Sequence, residues 1–398
     1  MTDYNELLNL PEYYTLTDLR YNGKLSLNMS TSEIAEFLSF KDEQIAENSP
    51  TFTRLNLVPF NSRFMFYANH NSLKELFDEY IQLVNSDGVF DSNLEEMRKS
   101  RIYSEVEGSL NIEGYNSTRL IFEKLMSGKA PENKNEVIIR NMANALRFTE
   151  KALPFTKDNL FTLYSLISED CLDEEQKLKT GDFYRYDMVY ISSYNGAPVD
   201  KLDECMDSLF EFVSNGVKST DRLFRFLLPH IVHYYLVYMH PYFDCNGRTA
   251  RMASLWISNL TGIGNSPYFI SEAINDRKAE YYRALSRTRD SRNDLTYFLQ
   301  FILKTSIDYA LCYRKMNIYR ERLSLSGDSM TPAEFGYMKK IILSFADRYF
   351  TWKDFIAATA TDMTKQGALK TLNRLESEGL VESGLNRKNE KIFRICNE

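Results

Sequence analysis

The sequence has no apolar run approaching the roughly 18 residues of a bilayer-crossing helix, which excludes a membrane span. Cysteine is sparse and odd in number (Cys171, Cys205, Cys245, Cys312, Cys396), with no Cys-x-x-Cys pair. That argues against both a disulfide framework and a thiolate zinc site, and it fits a reducing cytoplasm. Basic excess is also missing. The 48 Lys and Arg stand against 55 Asp and Glu, a net charge of −7, so only a local patch could hold nucleic acid. The opening residues, MTDYNELLNLPEYY, carry no basic segment followed by an apolar stretch, so the expected location is cytoplasmic. No internal repeat and no low-complexity tract is present.

Glycine and proline are few, 16 and 10 among 398 residues, and long stretches repeat their apolar residues with helical period. The fold class expected is mainly α. Residues 1–90 read as an irregular N-terminal extension with two helices, one capped by Thr31 or Ser32 and one over NSLKELFDEYIQLVN. Further helices are expected at 92–107, 117–127, 134–152, 156–172, 201–214, 221–239, 248–261, 273–287 and 294–323. Between the fourth and fifth of these, TGDFYRYDMVYISSYNGAP breaks the pattern. Its aromatic and β-branched residues lead into Tyr194-Asn195-Gly196, a hairpin signal. Residues 323–332 read as a linker. Beyond them, three short helices and two strands around a turn at Asn386 to Asn389 make a winged helix-turn-helix pattern over 333–398. From 331 to 398 there are 11 basic and 9 acidic residues, a mild positive balance.

Chemistry concentrates in His240-Pro241-Tyr242-Phe243-Asp244-Cys245-Asn246-Gly247-Arg248-Thr249-Ala250-Arg251, between two apolar segments that read as buried helices. A histidine can take a proton from a hydroxyl nucleophile at neutral pH. Asp244 offers a hard oxygen suited to Mg²⁺. Asn246-Gly247 opens the second helix, where N–H groups and the helix dipole favour an anion. Arg248 and Arg251, three apart, share a helical face and can clamp a phosphate chain. The set describes a metal-assisted site for a nucleotide di- or triphosphate. His230 and His233 fall within the apolar helix and read as packing histidines, and His70 reads as a surface residue.

The stretch HPYFDCNGRTAR resembles the Fic family motif HPFx(D/E)GNGRxxR, with Tyr242 in place of the phenylalanine and Cys245 in place of the first glycine. A tyrosine there needs a hydroxyl partner, and a cysteine strains a backbone of positive φ. The resemblance extends over roughly 90–305. Ser109-Leu110-Asn111-Ile112-Glu113-Gly114 is similar to the family's (S/T)xxxE(G/N) inhibitory motif, with Ser109 expected to cap its helix. Residues Ile191, Ser192, Ser193 and Tyr194 fall in a hairpin that looks like the target-docking flap. Tyr281-Tyr282 resembles the paired tyrosines of the nucleotide pocket, and Arg289 stands where many relatives have asparagine.

The resemblance implies a Fic catalytic domain over 91–322 and transfer of AMP from ATP to a Ser, Thr or Tyr hydroxyl of a target protein, the chain itself included. His240 would be the base and Asp244 the Mg²⁺ ligand. Asn246 would orient the α-phosphate, with backbone amides near Cys245 and Gly247 as the anion hole. Arg248 would hold the β-phosphate and Arg251 the γ-phosphate, with Thr249 and Ala250 in the same ATP-binding turn. Glu113 would inhibit by pairing with Arg251. Transfer of UMP, phosphate or phosphocholine stays open, as does a nucleotide-sensing DNA-binding regulator. The winged helix would contact DNA through MTKQGALKTLNR, Arg387 and Lys388, or would dock a protein. No membrane partner is expected, and a homodimer is left open.

Overall fold

Side-chain oxygens set where many of the helices begin. In the computed structural model, which describes residues 3–21, 28–85, 95–115, 117–191, 194–262, 270–325, 327, 329 and 331–396, Asp3 caps α1 (Tyr4–Leu8) and α2 (Leu16–Tyr21) follows. The next helix, α3 (Thr31–Ala46), opens with a capping box between Ser30 and Glu33. Ser30 is the cap rather than Thr31 or Ser32, because only Ser30 has a glutamate three positions on. A hairpin without a strong sequence signature comes next, pairing Phe52 of β1 (Phe52–Arg54) with Ala68 of β2 (Phe66–Ala68). Then come α4 (Asn71–Asn85), α5 (Glu95–Ile112), α6 (Arg119–Met126), α7 (Lys134–Thr149) and α8 (Lys157–Ser168), the last three capped by Thr118, Asn133 and Thr156.

The small hairpin β3 (Tyr190–Ile191) and β4 (Tyr194–Asn195) interrupts the helices. Its register pairs Ile191 with Tyr194. Tyr194-Asn195 is therefore the returning strand and not the turn expected from the Asn-Gly signal. After α9 (Val199–Gly216), α10 (Arg222–Met239) and α11 (Asn246–Thr261), the single helix expected over 273–287 is two, α12 (Ile270–Asp276) and α13 (Lys278–Asp290), broken at Arg277. The long α14 (Thr296–Leu325) leads to α15 (Pro332–Phe345), α16 (Trp352–Thr359), α17 (Lys365–Ser377), β5 (Val381–Leu385) and β6 (Lys391–Ile395). Among the described residues, no helix is long and apolar enough to cross a membrane.

The chain forms two compact units, residues 1–78 with 94–304 and residues 79–93 with 305–398. In the first, α10 and α11 pack along each other, and most side chains of both are buried. Trp256 of α11 is wholly buried and donates its indole N–H to the Leu153 carbonyl at 2.8 Å. Burial of each large apolar side chain stabilises by about 1.5–3 kcal/mol. The N-terminal residues belong to the same unit through a buried ion pair. Lys41 meets Asp294 inside a ring of Tyr13, Phe37, Phe52, Phe66 and Tyr297. Tyr13 donates its hydroxyl to the same carboxylate at 2.6 Å. Breaking such a pair on one side costs about 3–5 kcal/mol, because the other charge stays buried.

The second unit has its own core of Met338, Ile341, Phe350, Phe355, Leu372, Leu375, Val381, Phe393 and Ile395, joined by Met316, Tyr319 and Leu323 of α14. Leu323, expected at the start of the linker, is helical and buried. Its hairpin pairs Val381 with Ile395 and Leu385 with Lys391, and Asn389 takes a positive φ in the connecting turn.

Candidate active site

The turn between α10 and α11 is bounded by two non-glycine residues of left-handed conformation, His240 (φ 55°) and Cys245 (φ 67°). For L-residues this costs roughly 1–2 kcal/mol each, so packing must hold the turn in place. Asn246 does part of this. Its side chain accepts from the Tyr242 N–H at 2.9 Å and donates to the Tyr242 carbonyl at 2.8 Å. In this geometry Asn246 shapes the loop. Tyr242 stacks on Tyr164 with ring centroids 3.7 Å apart, but its buried hydroxyl has no hydrogen-bond partner among the described residues. The polar partner expected for the Phe-to-Tyr departure is therefore not found. The ring contact alone seats the side chain.

His240 caps the C-terminus of α10 and donates its backbone N–H to Leu236 at 3.0 Å. Its Nδ1 lies 3.3 Å from the Val237 carbonyl. A carbonyl only accepts, so Nδ1 carries the proton and Nε2 keeps its lone pair. Burial, reinforced by the Arg185 charge, lowers the imidazole pKa below its ordinary value despite that hydrogen bond. The ring is thus neutral at pH 7, as a base must be.

Five residues on, α11 begins without a side-chain cap, since Cys245 makes no capping bond. Its first-turn N–H groups have no partner within the helix. Arg248, 3% exposed, leaves Nη1 without a hydrogen bond, and its Nη2 is 3.8 Å from Asp244. An orphaned buried guanidinium nitrogen beside an uncapped helix start fits an anion. Asp244 is half-exposed and receives the Cys245 N–H on one oxygen at 2.6 Å. Thr249 and Ala250 are buried in the first turns of α11.

Arg251 is held from α5. Its Nε donates to the Ser109 hydroxyl at 2.8 Å, and its Nη2 donates to the Ser109 carbonyl at 3.0 Å and to Glu113 at 2.8 Å. Ser109 is therefore an interior helix residue facing Arg251, and not the cap expected from its place in the motif. Glu113 follows the last turn, and Gly114 takes φ 85° as the chain leaves the helix. Lys278 closes that end by donating to the Ile112 carbonyl at 2.5 Å. Burial raises the Glu113 pKa, but Arg251, then Arg248 and Lys278, outweigh it and hold the carboxyl below its usual range. A Cβ on Gly247 would come within 2.5 Å of Glu113 Oε1. The carboxylate thus lies against the start of α11, at the position an anion would take.

The hairpin borders a cavity of 390 Å³ lined by Ile191, Tyr194, Tyr234, Val237, Tyr238, Tyr282, Leu285, Ser286 and Arg289. Tyr282 lines it, whereas Tyr281, the next residue round α13, turns inward to His233 Nε2 at 2.9 Å. Adjacent helical residues point about 100° apart, so the two tyrosines cannot share one wall. Ser192 and Ser193 lie outside the described residues. His230 and His233 are buried as expected, and burial depresses both. His70 is buried too, with its ring nitrogens 2.6 Å from the Ser72 hydroxyl and 2.8 Å from the Leu10 carbonyl, contrary to its reading as a surface residue.

One residue that the motif does not include organises the site. Arg185, 1% exposed, donates Nε to the His240 carbonyl at 2.8 Å, Nη1 to Asp187 at 2.7 Å and Nη2 to Ala197. Its backbone N–H reaches Pro241 at 2.9 Å. A Cβ on Gly196 would sit 3.0 Å from this guanidinium and 3.2 Å from His240 Cβ. The sole sequence signal is an arginine set among aromatics ahead of the hairpin.

Residues 154–258, which hold this turn, match the model of the Fic/DOC family. Those residues are a Fic domain. Over 280 residues the chain is 27% identical to protein adenylyltransferase fic-1 of Caenorhabditis elegans, covering 68% of this chain and 52% of that protein. It is 28% identical over 191 residues to protein adenylyltransferase Fic of Nematostella vectensis, covering 47% of this chain and 42% of the relative. The chain thus spans about half the length of these curated relatives or less. The crystal structure of a Fic family protein from Desulfovibrio desulfuricans G20 shares the fold, with a TM-score of 0.51 at 18% identity over 83% of this chain and 98% of that one. The mainly helical fold around the Fic domain agrees with the class expected from periodicity.

Proposed function

We propose that the chain is a Mg²⁺-dependent protein adenylyltransferase that Glu113 holds in a low-activity state. The observation that carries this reading is the start of α11, uncapped, with the buried Arg248 Nη1 unpartnered and a neutral His240 at the other end of the same turn. His240 Nε2 takes the proton of the target's hydroxyl as that oxygen attacks the α-phosphorus of ATP, and pyrophosphate leaves. The N–H groups at Asn246 and Gly247 and the Arg248 guanidinium receive charge developing on the phosphates, and losing one such donor costs on the order of 10²–10³ in rate. The other oxygen of Asp244, 3.8 Å from Arg248, would hold Mg²⁺, which would supply charge neutralisation for the phosphates. Asn246 keeps the loop in the shape that aims these donors.

With Glu113 bonded to Arg251, that guanidinium is unavailable to the γ-phosphate and a carboxylate stands where the phosphate would lie. The nucleoside is assigned to the cavity beside Tyr282, and an extended target segment to the edge of the β3–β4 hairpin, where Tyr190 is 82% exposed.

The test is incubation of the Glu113→Gly protein with Mg-ATP labelled at the α or the γ position. Self-labelling from the α position alone supports AMP transfer. Label from the γ position would replace it with phosphotransfer, and no label from either would reject the reading.

A further inference from the structure

Within the C-terminal unit, α15, α16 and α17 are followed by the β5–β6 hairpin. Phe350, between α15 and α16, exchanges both backbone hydrogen bonds with Phe393 of β6 at 2.8 Å, so the hairpin closes against the helices. One side of α17 builds the core through Ala368, Leu372 and Leu375. Gln366, Lys370, Asn373 and Ser377 are all exposed. They fall at i, i+4, i+7 and i+11, a stripe along one helical face. The stripe carries two amides, a cation and a hydroxyl, and no apolar side chain.

The hairpin is fixed to the same helix. Lys391, the first residue of β6, donates to Asn373 Oδ1 at 2.9 Å and to Glu376 at 2.7 Å, and Ser383 of β5 donates to the same carboxylate. The side-chain oxygen of Asn386 shapes the connecting turn, accepting the N–H groups of Lys388 at 2.9 Å and Glu390 at 3.0 Å. That turn exposes Arg387 and Lys388. Two cations therefore stand at a fixed place beside the polar stripe. We infer that the C-terminal unit is a winged helix that binds duplex DNA, with α17 in the major groove and the β5–β6 turn on the flanking phosphates.

Shape, chemistry and charge each fit this ligand. The 13 residues of α17 make a rod about 20 Å long, and the major groove, about 12 Å wide, admits one α-helix. Gln366 offers the paired donor and acceptor that match adenine N7 and N6, and Lys370 can donate to guanine. Glu376, Glu378 and Glu382 are ion-paired to Lys391, Arg374 and Arg394. Among the described residues, Lys370, Arg387 and Lys388 have no acidic partner, so the surface keeps positive charge complementary to phosphate. The stripe also lacks the aromatic or aliphatic anchor on which protein partners dock. DNA binding does not rest on the adenylyltransferase reading, since no residue of the turn between α10 and α11 enters it.

The experiment follows fluorescence anisotropy of a labelled duplex pool of random sequence, titrated with the full chain in the absence of nucleotide. Three phosphate contacts, from Lys370, Arg387 and Lys388, should weaken binding by about 40-fold between roughly 50 and 200 mM salt. Arg387→Ala combined with Lys388→Ala should make the log–log salt slope shallower by about 2. Repeated selection from the same pool should enrich one sequence. Gln366→Ala should leave affinity for the unselected pool unchanged and lower discrimination at one base pair of the enriched sequence by about tenfold. No anisotropy change with roughly 100 µM protein at the lower salt would overturn DNA binding and leave the stripe to a protein partner. A slope unaltered by the double substitution would overturn the contact by the β5–β6 turn. Binding with no enriched sequence, or wild-type discrimination by Gln366→Ala, would overturn the placement of α17 in the groove.

Discussion

The helices of the C-terminal unit and the helix that follows the His240–Cys245 turn begin in opposite ways. Thr331, Thr351 and Thr364 each cap their helix with a side-chain oxygen, and the first two complete a capping box with Glu334 and Asp354. Cys245 offers α11 no capping bond and holds a strained left-handed backbone. The first group satisfies its N–H donors locally, so the chain stops and starts at little cost. The second leaves its donors open and relies on Asn246, Tyr164 and Arg185 to hold the turn in position. Open donors at a helix start are a loss for stability and an asset for binding an anion, and the contrast separates residues that serve folding from those that serve chemistry.

The strongest way to break the contrast is to remove the proposed base, His240, at the other end of the turn. His240→Ala should lower AMP transfer by about 10²–10⁴-fold with Mg-ATP affinity nearly unchanged, measured by labelling and calorimetry. In the wild type, the lowered His240 pKa means that the rate stays flat through neutral pH and falls only as pH drops below the ordinary histidine value. A fall already under way at pH 7 would remove the assignment.

Next in size is a test on α5, whose C-terminal end leads into Glu113. Glu105 is fully buried and its Oε2 accepts from the Ser271 N–H at 3.0 Å, while Gly108 lets the α12 backbone approach so closely that a Cβ would meet it at 2.6 Å. Burial raises its carboxyl pKa to about 8. The folded chain therefore holds a proton that the unfolded chain has lost between roughly pH 4.5 and 8. Stability contributed by this group is full below that window and declines as pH rises through it, at most about 1.4 kcal/mol per pH unit for one proton. Glu105→Gln should flatten that slope in urea titrations from pH 5 to 8.

Removing the internal anion comes third. Glu113→Gly should raise self-labelling by at least about tenfold, equivalent to roughly 1.4 kcal/mol of barrier, and adding Arg251→Ala should abolish the gain. Equal rates for Glu113→Gly and wild type under saturating Mg-ATP would refute inhibition by this residue.

The smallest effects come from exchanging the two kinds of helix start. Thr351→Ala should cost about 1 kcal/mol in chemical denaturation and leave nucleotide affinity alone. Cys245→Asp, which places a capping carboxylate at α11, should weaken Mg-ATP binding. Tighter binding by that variant would mean that the N-terminus of α11 does not receive phosphate.

The candidate site turn was legible because its chemistry is contiguous: histidine, acid, amide and two arginines within twelve residues between apolar helices. Helix positions were legible for the same reason, since capping and periodicity are local. What the sequence hid depends on partners distant along the chain. Arg185 reads as one more charged residue until the His240 carbonyl is placed on it, and Ser109 reads as a cap until Arg251 reaches it. The break at Arg277 and the short β1–β2 hairpin lack strong stop or turn chemistry, so periodicity carried past them.

The close approach of Glu113 to Gly247 constrains which single changes can release the chain from the inhibition proposed here. Any side chain at 247 would displace the carboxylate, but it would also fill the space a phosphate needs, so mutation there removes inhibitor and substrate together. Position 113 has no such double bind, because shortening its side chain vacates the same space without obstructing it. Mutational escape is therefore one-sided. Activating variants should accumulate at position 113, just past the last turn of α5, while the glycine that faces its carboxylate has no productive neighbour in sequence space.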